Sequence, residues 1–252
     1  MKSRLITAGF SPEETKFSPD GLVLNTSAQP IQKTDFFDKG FLRLQDEAAQ
    51  LISYLIDSDS TKSILDACAG AGGKATHLAA ILKNKGRILA IDRSMERIAE
   101  LRQEAVRLGI NIIEAQTADL NAELPESFKG KFDCVLVDAP CSGLGTLRRN
   151  PEIKWRTTEK DLRHFASAQK IILRNASAAV TKGGHLIYCT CSLLPEENEN
   201  IVDEFLTLHT NFSLCSPPAS VKKQLIDKRG FYRTCPHRHN MDGFFGAILK
   251  YL

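Results

Sequence analysis

This chain contains no apolar run long enough to cross a bilayer, and Met1-Lys2-Ser3-Arg4 leads into no signal-peptide core. A membrane protein is therefore not expected, and a cytoplasmic one is. No internal repeat or low-complexity tract points to a solenoid or a disordered tail. The seven cysteines are odd in number and lack the spacing of a disulfide framework, which favours reduced thiols. No Cys-x-x-Cys pair accompanies Cys235-Pro236-His237-Arg238-His239, so a zinc site there is not expected and no metal is assigned. A strong charge excess is missing too, the formal net charge being +3. What remains is ordinary: 42% hydrophobic and 25% charged residues in a chain of 252, enough for one large domain with a small appendage. Nothing in the sequence sets an oligomeric state, and a monomer is favoured.

Charge is unevenly spread. Arg148, Arg149, Lys154 and Arg156 follow Cys141, and Lys222, Lys223, Lys228, Arg229, Arg233 and Arg238 crowd a late segment. Such clusters are mostly solvated loops, and nucleic-acid contact becomes the better reading only beside a suitable active site.

Residues 1–40 are irregular, with Pro12, Pro19, Gly21, Pro30 and Gly40 punctuating short β-like pieces such as Leu22-Val23-Leu24. Leu44, Ala48, Leu51 and Leu55 recur at helical spacing and predict an amphipathic helix over 44–56. Strands are then predicted over 64–67, 87–91, 110–115, 132–137 and 185–189, with helices over 74–82, 95–108, 162–180 and 196–208. A last strand is predicted over 244–249. Alternation of this kind implies an α/β fold with a Rossmann-like, mainly parallel sheet and right-handed crossovers.

Gly70-Ala71-Gly72-Gly73-Lys74-Ala75 follows a predicted strand and opens a predicted helix. Glycines there allow a tight turn and bring backbone amides close to a ligand, and the helix N-terminus adds partial positive charge. The spacing meets the dinucleotide fingerprint, and Asp92 at the end of the next strand could take ribose hydroxyls. Taken alone, this permits NAD, FAD or S-adenosylmethionine. A P-loop is excluded, because Cys68 stands where that motif needs Gly and Ala75 where it needs Ser or Thr. Asp119, after the third strand, could accept from an adenine amino group, or could simply cap a helix or face solvent. Two strand-end carboxylates and a short loop favour an adenosine ligand without a diphosphate, and so S-adenosylmethionine.

Cys141, in Asp138-Ala139-Pro140-Cys141-Ser142, and Cys191, in Thr190-Cys191-Ser192, each follow an apolar strand-like stretch. Ligands of an open α/β sheet gather at the carboxyl ends of the strands, so both thiols would face the cofactor. Cytosine carbon 5 is too poor a nucleophile to attack a sulfonium methyl unaided. Thiolate addition at carbon 6 makes carbon 5 enamine-like, and an acid near N3 or the exocyclic amine must absorb charge; Asp138 is placed for that if burial keeps it protonated. Free cysteine is mostly a small buried residue, and that is the expectation for Cys134, Cys189 and Cys215. Lys74 or the sulfonium could lower the pKa of a nucleophilic thiol. The residues alone leave open which of Cys141 and Cys191 attacks. A nicotinamide oxidoreductase and a catalytically silent RNA-binding or assembly factor remain competing readings.

With these residues in place, the chain resembles the bacterial Fmu/Sun (NOL1/NOP2/Sun) RNA 5-methylcytosine methyltransferases, and most closely those acting on small-subunit ribosomal RNA. The resemblance rests on Gln45-Asp46, the run from Leu65 to Lys74, Asp138 to Ser142, Asn150-Pro151-Glu152-Ile153-Lys154-Trp155, Tyr188 to Ser192 with Pro195-Glu196-Glu197-Asn198, and Asp242-Gly243-Phe244-Phe245. It implies a class I methyltransferase sheet with an antiparallel C-terminal strand, catalytic over 59–252. Residues 1–58 would be part of a small α+β linking and RNA-binding segment. Cys68, Ala69, Gly70, Ala71, Gly72, Gly73 and Lys74 would wrap the methionine part of S-adenosylmethionine. Asp92 would hold the ribose, Asp119 the adenine, and Asp138 would lie between cofactor and cytosine. Cys191 would be the nucleophile, and Cys141 would assist breakdown of the adduct, although its Pro-Cys context is that of the nucleophile in DNA cytosine methyltransferases. Ribosomal RNA would be the partner, with the basic clusters on its backbone and Trp155 or Phe231 offering a stacking face; core packing is an equal expectation for Trp155. The family carries Pro where this chain has Ala71, which loses a φ restraint. An additional helical RNA-binding domain of the small-subunit enzymes has no room here, so a fragment or shortened form is expected.

Overall fold

Ile88-Leu89-Ala90-Ile91 and Val135-Leu136-Val137 are buried without alternation, the pattern of strands covered on both faces. In the computed structural model, which describes residues 1–25 and 29–252, they lie on inner strands of an eight-stranded sheet. The chain starts with α1 (Lys2–Thr7), a hairpin of β1 (Ser11–Glu14) and β2 (Leu22–Asn25), and the short helices α2 (Asp35–Asp38) and α3 (Glu47–Ser53). Next come β3 (Ser63–Asp66), α4 (Gly73–Ile81), β4 (Arg87–Asp92), α5 (Met95–Arg107), β5 (Ile113–Thr117) and β6 (Phe132–Asp138). They are followed by α6 (Ile153–Arg156), α7 (Glu159–Ser177), β7 (Val180–Thr190) and α8 (Glu199–Leu208). The chain closes with β8 (Phe212–Cys215), β9 (Tyr232–Arg233), α9 (Pro236–His239) and β10 (Phe245–Tyr251).

The sheet order is β5-β4-β3-β6-β7-β10-β8, with β9 also paired to β10. Strands β3 to β7 are parallel, and β10 is antiparallel to β7, β8 and β9. Successive strand residues face opposite layers. Ile64, Ile88, Ala90 and Leu136 pack with Leu51 and Ile52 of α3 and Leu78 of α4, while Leu65, Leu89, Val135 and Val137 pack with Leu173 of α7 and Phe205 of α8. Each such Leu or Ile contributes about 1.5–3 kcal/mol by its burial. Leu5, Phe10 and Ile31 form a separate small cluster in the N-terminal segment. The chain leaves β3 toward β4 and returns to its other side as β6. The loops after β3 and β6 therefore diverge and open a crevice at the carboxyl edge of the sheet.

Local chemistry shifts several predicted boundaries. The helix expected from Leu44 starts at Glu47, because Asp46 caps it by accepting the Ala48 N–H at 3.0 Å, and Leu44 is left exposed. Ile110, predicted to begin a strand, instead closes α5. Gly109 takes φ +67°, and the Ile110 N–H reaches the Ala105 carbonyl at 2.8 Å, as in a Schellman motif. The helix predicted over 196–208 is broken at Asn198 into a short turn, Pro195–Glu197, and α8. Helix α1 and strands β1, β8 and β9 were not predicted. Cys134 and Cys189 are buried as expected, but Cys215 is only half-buried, because β8 is an edge strand. Among the described residues, no helix is long and apolar enough to cross a membrane.

Candidate active site

Strand β3 leads into the glycine loop, where Gly70 and Gly72 have φ of +54° and +79°. A Cβ on Gly72 would stand 2.6 Å from Leu101 of α5, so the loop can seat on α5 only with glycine there. Asp92 pins the loop from β4, its carboxylate accepting the N–H of Gly70 at 2.8 Å and of Ser94 at 2.9 Å. Arg43 donates to the Ala71 carbonyl at 3.1 Å, and Gln45 to that of Gly73 at 3.4 Å, so the N-terminal segment braces the loop from outside. Arg43 was not singled out in the sequence; it has no motif spacing to betray it. Asp119 lies exposed after β5, its carboxylate turned back onto Asn121.

Behind the loop, the buried Lys74 of α4 is ion-paired with Asp138 at the end of β6 and sits 5.2 Å over the ring of Phe244. Burial alone would lower the Lys74 ammonium, but Asp138 outweighs it and holds Lys74 above its ordinary value. Asp138 thus enters the site paired rather than as an isolated acid, and it also accepts from the Cys189 thiol at 3.4 Å. Asp66 is fully buried, and among the described residues neither of its carboxylate oxygens has a hydrogen-bond partner. Burial, reinforced by Asp138 and opposed by Lys74, pushes it up to about 7.

Strands β6 and β7 run in parallel with Asp138 opposite Cys189, so the two cysteine loops leave the sheet side by side. Sγ of Cys141 and Sγ of Cys191 are 3.3 Å apart, far beyond a disulfide of about 2.05 Å but within reach of an S–H···S contact. The two thiols are unequal. The contact with Cys191, then burial, raises Cys141, whereas the hydrogen bond from Cys141 lowers Cys191 against burial, with Lys74 helping and Asp138 opposing. The contact therefore favours the proton on Cys141 and the thiolate on Cys191.

Two expectations about the surroundings change. Arg148 and Arg149 are not free for a ligand: Arg148 donates to Asp242 at 2.9 Å and to Asp46 at 2.7 Å, and Arg149 is paired with the same buried Asp242. They tie the loop after Cys141 to the start of α3 and to the segment before β10. Phe231 is fully buried and offers no stacking face, while Trp155 is 82% exposed beside Lys154 and so is not a core residue. In the late basic segment, Arg229 pairs with Asp203 and Arg233 with Glu199 and Asp227. His239 Nδ1 accepts the Cys235 N–H at 2.9 Å, and among the described residues no three His, Cys, Asp or Glu side chains are grouped to hold a metal.

The crevice residues fit an adenosylated sulfonium. Gly70 faces open space, where a Cβ would meet nothing within 4 Å, and Asp66 keeps an orphaned buried carboxylate. Asp92, Asp119 and Asp138 add three more acids at strand ends. Those acceptors suit a ligand that carries hydroxyl and amine groups and a positive charge.

Residues 53–250 match the family described as 16S rRNA methyltransferase RsmB/F. The probable ribosomal RNA small subunit methyltransferase B of Bacillus subtilis is 38% identical over 99% of this chain and 56% of its own length. The human 28S rRNA (cytosine(4447)-C(5))-methyltransferase is 36% identical over 93% of this chain and 30% of its own. Among solved structures, NSun6 from Pyrococcus horikoshii with SFG superposes with a TM-score of 0.77 at 28% identity, covering 92% of this chain and 60% of that one. The chain thus spans about half the length of its bacterial relative and less of the human one.

Proposed function

The chain belongs to the 16S rRNA methyltransferase RsmB/F family, and from that premise we propose that it methylates carbon 5 of a cytosine in small-subunit ribosomal RNA, with S-adenosylmethionine as donor and a covalent Cys191–carbon 6 bond. The observation that carries this reading is the pair of thiols 3.3 Å apart at neighbouring strand ends, with the Lys74–Asp138 ion pair alongside. The cofactor assignment draws support from the acid-lined glycine loop and from the structural relative that bears SFG, an S-adenosylmethionine analogue. The base and ring position draw support from the human relative's name.

S-adenosylmethionine, when bound, supplies an electrophilic methyl group on a cationic sulfur. Cys68 to Lys74 would cradle its methionine part, Asp92 its ribose and Asp119 its adenine. The Cys191 thiolate forms a bond to carbon 6, moving the ring electron pair onto carbon 5 and making that carbon nucleophilic. The Lys74–Asp138 pair lends a proton at N3 or a hydrogen bond at the exocyclic amine as charge builds there. Once carbon 5 is methylated, transfer of its proton to water restores the ring double bond and expels Cys191 as thiolate, with the Cys141 thiol assisting its departure. The target base must be unpaired or extruded for its carbon 6 to reach a thiolate. Trp155, Lys154 and Arg156, together with residues 1–58, would contact the RNA, and the cytoplasm is where the substrate is met.

The competing nicotinamide oxidoreductase would leave both cysteine loops without a task and would set a diphosphate among carboxylates. Tritium release from RNA labelled at cytosine carbon 5 tests the proposal, because only substitution at that carbon displaces the label. Release in step with methyl transfer is expected. Methylation without release would move the target to another atom, and the absence of both with full-length RNA would leave an RNA-binding factor.

A further inference from the structure

The residue after each cysteine is serine, Ser142 and Ser192, and both are buried. Their hydroxyls meet one acceptor. Ser142 Oγ donates to Glu197 Oε2 at 2.5 Å, and Ser192 Oγ donates to the same oxygen. The other carboxylate oxygen, Oε1, accepts the Ser142 N–H at 2.8 Å and Gln169 Nε2 at 3.1 Å. Gln169, projecting from α7, also donates to the carbonyl of Pro140 at 2.9 Å, just ahead of Cys141. On the other side of the pair, Asn198 accepts from Thr190 Oγ1 at 2.5 Å and donates to the Ser192 carbonyl at 3.0 Å, bracketing Cys191. Glu197 itself is fully buried, and these four donors to its carboxylate are all neutral.

Burying a carboxylate without a cation is expensive, and an apolar side chain would fill this volume at lower cost. What an apolar side chain cannot do is receive two hydroxyls and a backbone N–H from two different loops. We propose that Glu197 is a positioning residue of the dithiol site: acting through Ser142 and Ser192, one buried carboxylate sets the distance and direction between the sulfurs of Cys141 and Cys191. This rests on the reading of Cys191 as the nucleophile. The 3.3 Å contact that the clamp would maintain is also the hydrogen bond that lowers Cys191 below an ordinary thiol. Glu197 adds its negative charge on the side of Cys141, which keeps the proton there.

The test is the pH dependence of Cys191 alkylation by iodoacetamide in the full chain without RNA, followed by peptide mass spectrometry. It compares the parent chain with a Ser142→Ala/Ser192→Ala double variant and with Glu197→Gln. The double variant keeps two of the four donors to the carboxylate, the Ser142 N–H and Gln169, and the profiles are compared at a temperature below the measured Tm of each variant. Lys74, Asp138 and Arg149, the other charges acting on Cys191, are unchanged in both variants. The midpoint for Cys191 is expected to rise by about one pH unit in the double variant, toward that of an ordinary thiol, and by less in Glu197→Gln. Turnover on RNA is expected to fall by about 10–100-fold with KM for S-adenosylmethionine unchanged. An unshifted Cys191 midpoint in both variants overturns the proposal. Cys191→Ser that still methylates RNA would sink the nucleophile assignment instead, and the alkylation profiles would stand apart from that result.

Discussion

The two ends of the crevice are held in different ways. At the β3–β4 end the loop is shaped by backbone conformation, two glycines at positive φ and one half-buried carboxylate, Asp92, that takes two amide N–H groups. At the β6–β7 end the two cysteine loops are held by buried side chains, Gln169 from α7 and the adjacent Glu197 and Asn198 from the turn before α8. In the proposed reaction the loop's task is to hold the cofactor. The task proposed for the clamp is to set the two thiols for the chemical step. Substitutions at the first end should therefore appear in cofactor affinity, and substitutions at the second in turnover.

The largest effect that would break this comparison is at Cys191. Cys191→Ala is expected to lower single-turnover methyl transfer by at least ~10³-fold, while calorimetry gives an unchanged affinity for S-adenosylmethionine. Retained transfer, with Cys141→Ala dead, would reverse the roles of the two thiols. At the other end, Asp92→Ala frees the Gly70 amide and should weaken cofactor binding by about 10–100-fold, with turnover at saturating cofactor near that of the parent. Unchanged affinity would mean that the ribose and the loop are held by something else. Outside both ends, Trp155→Ala should weaken RNA binding by about tenfold in an electrophoretic titration without changing Tm, since the ring is exposed. An equal RNA affinity would take Trp155 out of the interface.

The smallest expected effect is a pH-dependent one at Asp66. Because its folded pKa is raised to about 7, the folded chain binds that proton more tightly than the unfolded chain does. Its favourable contribution is full below the ordinary carboxylate value of about 4 and is lost as the pH rises through 7. Asp66→Asn should therefore gain in Tm relative to the parent as the pH goes from 5 to 8. A gap that is the same at both pH values would contradict the raised pKa.

Much of the frame was legible because it depends on local pattern. The apolar runs at 87–91 and 132–137 and the glycine loop place β4, β6 and the crevice without knowledge of any distant contact. The positions of Asp138, Cys141 and Cys191 at strand ends follow from the same pattern. What was not legible depends on contacts between segments. Strands β8 and β9 are short and gain their ladders from β10, so no periodicity announces them. Arg148 and Arg149 read as a basic patch because the partner that neutralises them, Asp242, lies more than 90 residues away. Glu197 lies within the recognised Pro195-Glu196-Glu197-Asn198 run, yet nothing in that run shows a carboxylate turned inward onto two serines. The repeated Cys-Ser pair was the one signal available.

The most direct measurement is on Cys141→Ala incubated with RNA and S-adenosylmethionine, denatured, digested and analysed by mass spectrometry. The account predicts a nucleotide carrying the transferred methyl group, bound covalently to the peptide that contains Cys191. Methylated RNA formed with no nucleotide ever found on Cys191, or a nucleotide found on another residue, would contradict it.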